Sequence, residues 1–114
     1  MFARKVSIRL KPNSVPQFVD RLESQIVPIL RKQKGFLDEI SFVTPSGSQA
    51  FTVSLWDQQE NAEVYARSGY LEVAKILGGV TEGSGQVDSF DVVSSTVHKI
   101  ASAVGGGPTL VLTR

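Results

Sequence analysis

The sequence predicts an α+β fold in which four antiparallel strands and two helical regions follow the order strand, helix, strand, strand, helix, strand. Apolar and polar residues alternate, as in half-buried strands, within residues 2–10, 36–44, 49–56 and 86–98. Helix-compatible segments separate the first strand from the second and the third from the fourth. With 114 residues, the chain suits one domain with a sizeable core. We therefore expect a single domain at 1–98, followed by a distinct tail at 99–114.

The first strand and first helix have the clearest patterns. Apolar residues lie on one face of the strand at alternate positions from Val6 to Leu10. Ser14 is a plausible N-cap, with Pro16 in the first helical turn. Apolar residues then recur at steps of three and four: Val15, Phe18, Val19, Leu22, Ile26, Ile29 and Leu30. Pro28 removes a backbone donor, so we expect a kink there, and Gly35 ends the helical region.

The middle of the chain predicts a hairpin and then a broken helix. A turn at 45–48 joins the second and third strands. After the third strand, Asp57 is a plausible N-cap, with Glu60 three residues later as in a capping box. Gly69 interrupts the helical pattern, so we expect two short helices near 58–67 and 70–77. Residues 82–85, which contain two glycines, predict a flexible link before the last strand.

This order of elements is the split βαβ arrangement of ferredoxin-like folds, written βαββαβ. Helices on one face of the sheet leave the other face uncovered, and a chain of this size has nothing left to cover it. We therefore expect a two-fold homodimer that associates through the sheet faces. In the tail, the glycine-rich run at 105–108 is typical of a hinge, and residues 109–113 are β-prone. Two interpretations stay open: a disordered tail, or a strand added to the chain's own sheet or to a partner's, of which we favour ordering on a partner.

Composition excludes several classes of function. Twelve Lys and Arg residues against eleven Asp and Glu, scattered along the chain, predict no surface for nucleic acid or an anionic membrane. The chain has no cysteine, no signal-peptide pattern and no apolar stretch that could span a membrane, so we expect a cytoplasmic protein. His98 is the only histidine, and carboxylates do not cluster at the spacing of metal ligands, so we expect no metal site.

The stretch 51–70 resembles the antibiotic biosynthesis monooxygenase family, whose members are dimeric α+β barrels. The resemblance rests on the strand that ends at Trp56, the polar helix start at 57–61, and the spacing of Tyr65, Ser68 and Tyr70. Members include cofactor-independent oxygenases of aromatic polyketides, quinol oxygenases, haem-degrading enzymes and proteins without an assigned role. The resemblance implies that Trp56 matches a tryptophan of the family's substrate pocket.

Haem chemistry does not follow from this resemblance. The haem-degrading branch uses an asparagine on the first strand and an axial histidine in the second helical region. This chain has Arg4, Lys5, Ser7 and Arg9 as the polar residues of its first strand, and residues 58–80 contain no histidine. We therefore expect no haem and no other cofactor.

The best candidate site consists of Trp56, Tyr65, Tyr70 and Arg67. We expect an aromatic cavity in which Trp56 packs on a phenol- or quinol-like substrate and either tyrosine hydrogen-bonds it. Arg67, or alternatively Arg4, would stabilise the substrate anion, which would itself supply the electrons to O₂. This predicts a cofactor-independent monooxygenase.

Two other functions remain open at the level of sequence. The same aromatic residues also suit a core, in which case the chain would be a non-catalytic dimeric module for small-ligand binding or stress response. An isomerase or cyclase would need His98 to point into the pocket.

Overall fold

A computed structural model describes residues 1–100, in which the helices cover one face of a four-stranded antiparallel sheet. The strands are β1 (Phe2–Leu10), β2 (Phe36–Val43), β3 (Gln49–Trp56) and β4 (Thr81–Asp91), and their order across the sheet is β2-β3-β1-β4. The helices are α1 (Val15–Arg21), a π-helical turn (Leu22–Ile26), α2 (Val27–Arg31), α3 (Gln59–Ala66) and α4 (Gly69–Gly78). The predicted α+β, ferredoxin-like architecture is therefore confirmed. The predicted hinge and strand of the tail, at 105–113, lie outside the described residues.

The first helical region changes geometry just before Pro28. The backbone N–H of Val27 donates to the carbonyl of Leu22, five residues earlier, as in a π-helix. Pro28 then occupies the first turn of α2, where its missing N–H costs least. The structure thus accommodates the proline with a π-helical turn at the point where the sequence predicted a kink.

The helical region after β3 is divided as predicted, but it begins differently. Gln58, not Asp57, is the N-cap of α3, and it makes no side-chain capping bond. Asp57 instead donates its backbone N–H to the Gly35 carbonyl at 2.9 Å and accepts a hydrogen bond from Asn61 Nδ2 at 2.8 Å. The capping-box prediction was therefore wrong, because Asp57 closes the loop against Gly35.

Strand β4 begins earlier and ends earlier than the sequence indicated. It starts at Thr81 and includes the residues 82–85 that were predicted to form a flexible link. The pairing of β4 with β1 shifts register between Ser7 and Arg9, so residues 83–85 form a bulge opposite Ile8, and Gly83 in this bulge has a φ of +73°. This bulge lets two glycines stay within a strand, since bulges tolerate glycine.

The two faces of the sheet differ in character. The helix-covered face holds the core, in which Trp56, Phe18, Leu30 and Val80 are almost fully buried. On the opposite face Ile40, Phe42 and Phe90 are exposed by 50%, 43% and 50%. The rings of Phe42 and Phe51 stack there at 4.6 Å between centroids. No helix among the described residues is long and apolar enough to cross a membrane.

Gly35→Ala should cost about 3 kcal/mol of unfolding free energy, measured by denaturant titration, because it combines left-handed strain with a steric collision. Gly35 has a φ of +81°, and an added Cβ would collide with Asp57 Oδ1 and lie 2.5 Å from Asn61 Nδ2. Gly83→Ala is the matched control: φ is +73°, but no atom lies within 4 Å of the added Cβ. Equal losses in the two variants would show that the contact with Asp57 is not what restricts this position.

Candidate functional site

The candidate site is organised around Arg4, which β1 directs to the helix-covered face of the sheet. Arg4 lies opposite Ser54 of β3 and Ser89 of β4 in the strand register. Only 5% of its surface is exposed. A charged residue therefore occupies a position that the alternation of β1 assigns to the core.

Two tyrosines hold the guanidinium of Arg4. Its Cζ lies 5.3 Å from the ring centroid of Tyr65 and 4.7 Å from that of Tyr70, within the range of cation–π contacts. Tyr65 is on α3 and Tyr70 is on α4, and their rings meet edge to face at 6.0 Å. Gly69 allows this convergence, because a Cβ there would lie 3.1 Å from the Tyr65 ring. The break between the two helices thus brings both phenol rings to one cation.

No carboxylate neutralises this cation within residues 1–100, where the one ion pair joins His98 to Asp38. Arg4 Nη1 is buried and has no hydrogen-bond partner among the described residues. Burial lowers the pKa of Arg4 from its usual value, while the neighbouring tyrosines act in the opposite direction. Burial also disfavours the charged form of Tyr65, which for a phenol means a higher pKa. The pKa of Tyr65 is therefore well above that of a free phenol, and Tyr65 stays neutral. The site is a buried, unneutralised guanidinium beside a neutral phenol.

Arg4 borders two spaces on the same face of the sheet. One is a largely, but not fully, enclosed cavity of about 30 Å³. The other is an open groove of about 270 Å³ beside α3. The cavity is lined by Arg4, Val6, Leu22, Ile26, Leu30, Thr52, Ser54, Tyr65, Tyr70, Val73 and Leu77. The groove is lined by Phe2, Arg4, Gln59, Ala62, Glu63, Ala66, Val87 and Ser89.

Trp56 lies behind the site and not in it. Its side chain has no exposed surface, and its Nε1 donates to Ser54 Oγ at 2.9 Å. The Trp56 ring stacks on Tyr65 at 5.0 Å and meets Phe36 edge to face at 5.7 Å. Trp56 lines neither the cavity nor the groove. Trp56 therefore packs against Tyr65 and keeps the Tyr65 ring in contact with Arg4.

The structure brings together three of the residues that the sequence singled out, with Arg4 in the role of the cation. Tyr65 and Tyr70 line the cavity together with Arg4. Arg67 is exposed at the C-cap of α3 and lines neither the cavity nor the groove. The alternation Phe2, Arg4, Val6 already places Arg4 on the inward face of β1, and this signal favours it over Arg67.

His98 lies away from this site. Its Nε2 is 3.3 Å from Asp38 Oδ2, and His98 lines neither the cavity nor the groove. The arrangement required for an isomerase or cyclase, with His98 in the pocket, is therefore not present. The contact of His98 with Asp38 was not predicted from the sequence. The two residues are distant in sequence, and the direction of the Asp38 side chain depends on a register shift in the pairing of β2 with β3.

No known family model matches this chain, and no curated protein matches it. Solved structures do. The ActVA-Orf6 monooxygenase of Streptomyces coelicolor, in complex with nanaomycin D, superposes with a TM-score of 0.71 at 14% identity, covering 86% of this chain and 92% of that one. A protein from Bordetella bronchiseptica described as an antibiotic biosynthesis monooxygenase gives 0.68 at 18% identity, covering 82% and 98%.

A third similar structure is a variant of MhuD with two manganese protoporphyrin IX molecules bound per active site. Its TM-score is 0.68 at 17% identity, and the superposition covers 84% of this chain and 98% of that one. At these identities the likeness concerns the fold. The expected resemblance is thus confirmed at that level, and the chain has the fold of the antibiotic biosynthesis monooxygenases.

Proposed function

We propose that this chain is an antibiotic biosynthesis monooxygenase that oxidises a small phenol- or quinol-like compound without a cofactor. The observation that carries the proposal is the buried Arg4 guanidinium, which has no carboxylate partner and an unpartnered Nη1. Burying an unpaired cation costs several kcal/mol, so a fold that keeps one gains most when an anion binds. A phenolate is such an anion, and the two tyrosine rings suit an aromatic substrate.

The chemistry requires the protein to hold the anion and exclude water. A phenolate bound to Arg4 loses one electron to O₂, and the resulting radical and superoxide join in a C–O bond. The peroxide anion so formed takes up the proton that the phenol released to solvent on binding, and loss of water from the resulting hydroperoxide leaves a quinone. One oxygen atom thus enters the product and the other leaves as water. Arg4 stabilises the negative charge through these steps. Neutral Tyr65 and Tyr70 line the cavity and not the groove, so they act by holding the guanidinium of Arg4 in place. The substrate supplies all the electrons.

The groove beside α3 accommodates the substrate ring better than the enclosed cavity. Small-molecule sites usually measure roughly 300 to 1,000 Å³. The groove, at about 270 Å³, is close to that range, whereas the cavity measures about 30 Å³. In this arrangement the ring lies on Phe2 and Val87, and its oxygen contacts Arg4. Trp56 then acts as a positioning residue that backs Tyr65.

A porphyrin does not fit this site. The groove of about 270 Å³ is already smaller than usual small-molecule sites of roughly 300 to 1,000 Å³, and no histidine lines the cavity or the groove. The proposed reaction therefore involves no haem.

A non-catalytic binding module is the second candidate, and the burial of Trp56 and Tyr65 in the core favours it. Such a module would use the same groove and the same Arg4 to hold an aromatic anion without turnover. The two candidates differ only in whether oxygen is consumed.

The open face of the sheet supports a homodimer. Ile40 and Phe42 expose apolar surface there around the stacked Phe51, and Phe90 exposes more on β4. Contiguous exposed apolar surface on a small protein marks an association site, and a two-fold dimer is the commonest assembly. We propose that two copies pair through these faces.

Oxygen uptake should occur with a panel of quinols and hydroxynaphthalenes and should fall by about a hundredfold in Arg4→Met, because the anion loses its counter-charge. An oxygen electrode and product spectra measure this. Arg31→Met, which changes an exposed arginine at the end of α2, should retain wild-type uptake. Loss of uptake in Arg67→Met but not in Arg4→Met would overturn the assignment to Arg4. Tight quinol binding without uptake would favour the binding module.

Arg4→Met should raise the free energy of unfolding of the unliganded protein by about 1–2 kcal/mol, because it replaces a buried unpaired cation with an apolar chain of similar length. Lost cation–π contacts with Tyr65 and Tyr70 offset part of the gain. Chemical denaturation measures the change, and Arg31→Met should stay within about 0.5 kcal/mol of wild type. A less stable Arg4→Met variant would show that the guanidinium is a structural element.

Ile40→Glu should shift the protein from dimer to monomer in sedimentation velocity, because it places a charge in the proposed apolar interface. Val64→Glu is the matched control, since both residues are 50% exposed and Val64 lies on α3, away from the open face. A wild-type protein that sediments as a monomer, or equal behaviour of the two variants, would contradict the proposed interface.

A further inference from the structure

The enclosed cavity beside Arg4 has mainly aliphatic walls. Its volume of about 30 Å³ leaves room for one or two water-sized molecules and excludes an organic substrate. The aliphatic walls are formed by Val6, Leu22, Ile26, Leu30, Val73 and Leu77. A small space of this kind suits a small apolar gas molecule.

The π-helical turn forms part of this wall. Leu22 and Ile26, the first and last residues of that turn, both line the cavity. A π-helical turn inserts a residue into the helical repeat and breaks the regular stacking of side chains four residues apart, and such turns are frequent at functional sites. The cavity therefore lies where the helix departs from α geometry, just before Pro28.

The cavity and the groove both border Arg4. A molecule in the cavity and an aromatic anion in the groove would therefore both be next to the same guanidinium. We propose that the enclosed cavity is the dioxygen-binding site of this protein. The catalytic part of this proposal rests on the proposed oxygenase function.

This placement suits the electron-transfer step. One electron passes from the substrate anion to O₂, so the negative charge moves from the groove to the cavity as superoxide forms. Arg4 adjoins both positions and can stabilise the charge before and after the transfer, in surroundings of low polarity where such contacts are strong. Superoxide then passes the Arg4 side chain, the one described residue that lines both spaces, and combines with the radical in the groove to form the C–O bond already described. The protein thus needs no second cation.

Water is the competing occupant. Arg4, Thr52, Ser54, Tyr65 and Tyr70 also line the cavity. An ordered buried water typically makes about three hydrogen bonds, whereas apolar cavities of proteins stay dry and bind xenon. The two occupants predict opposite results in the experiment below.

Oxygen can be located directly, because dissolved O₂ is paramagnetic and speeds the relaxation of methyl groups that it contacts. Methyl relaxation is measured by NMR on the wild-type protein under nitrogen and then under oxygen pressure. Leu30 and Val80 are matched reporters, 2% and 0% exposed, of which Leu30 lines the cavity and Val80 does not. We expect a several-fold larger oxygen-induced relaxation rate at Leu30. Equal rates at both methyl groups would overturn the proposal.

Val73→Ile, which adds a methylene group to the cavity wall, should abolish the excess relaxation at Leu30. Val64→Ile makes the same change on an exposed part of α3 and should leave it intact. If Val73→Ile does not fold, Val6→Ile fills the cavity from the sheet side. Xenon should appear in the cavity of pressurised crystals, and a water bonded to Arg4 in its place would overturn the proposal.

These measurements do not require turnover, so they can reject the proposed oxygen site without rejecting the proposed oxygenase function, and the reverse. Oxygen-induced relaxation at Leu30 without oxygen uptake from any quinol would retain the gas site and reject the oxygenase. Uptake that survives in Val73→Ile with an unchanged KM for O₂ would retain the oxygenase and reject this cavity as its oxygen site.

Discussion

The site depends on the contact of the Arg4 guanidinium with the rings of Tyr65 and Tyr70. Because the cation has no carboxylate partner among the described residues, these ring faces, at 5.3 and 4.7 Å, stabilise it in place of a counter-ion. Each surrounding feature positions one member of this group. Trp56 stacks behind Tyr65, Gly69 separates α3 from α4, and β1 turns Arg4 inward.

A cation stabilised only by aromatic rings differs functionally from one in an ion pair. A carboxylate partner would neutralise Arg4 and leave little field for a ligand, whereas ring quadrupoles compensate burial only in part. The remaining electrostatic cost is reduced when an anion arrives. A neutral Tyr65, whose pKa burial keeps high, does not compete with that anion for the cation. The proposed ligand, an aromatic anion, would therefore bind this site better than a neutral molecule of the same shape.

Sequence patterns predicted the elements of this fold well, because each half-buried strand and the first helix has its own periodicity. They failed where a contact distant in sequence decides the outcome. Asp57 looks like an N-cap until the Gly35 loop packs against it, and the glycines at 83 and 85 look like a link until β1 pairs with them across a bulge. At the site, Arg67 was predicted as the anion-stabilising residue ahead of Arg4, although the alternation along β1 contains the signal that Arg4 points inward. Burial of Trp56 in the core was an alternative that the sequence left open, and its place behind Tyr65 depends on how α3 crosses the sheet.

The two faces of the sheet are linked through the same strands. On β1, Arg4 faces the helices while Ala3 faces the open side, where it pairs with Phe90 of β4. Ser89, the partner of Arg4 on β4, precedes Phe90 directly and lines the groove. The floor of the groove and the open face are thus the two sides of the same sheet. A partner that covered Phe90 would therefore also support the backbone that holds Arg4. Dimerisation through the open face would thus fix the position of the cation as well as bury apolar surface.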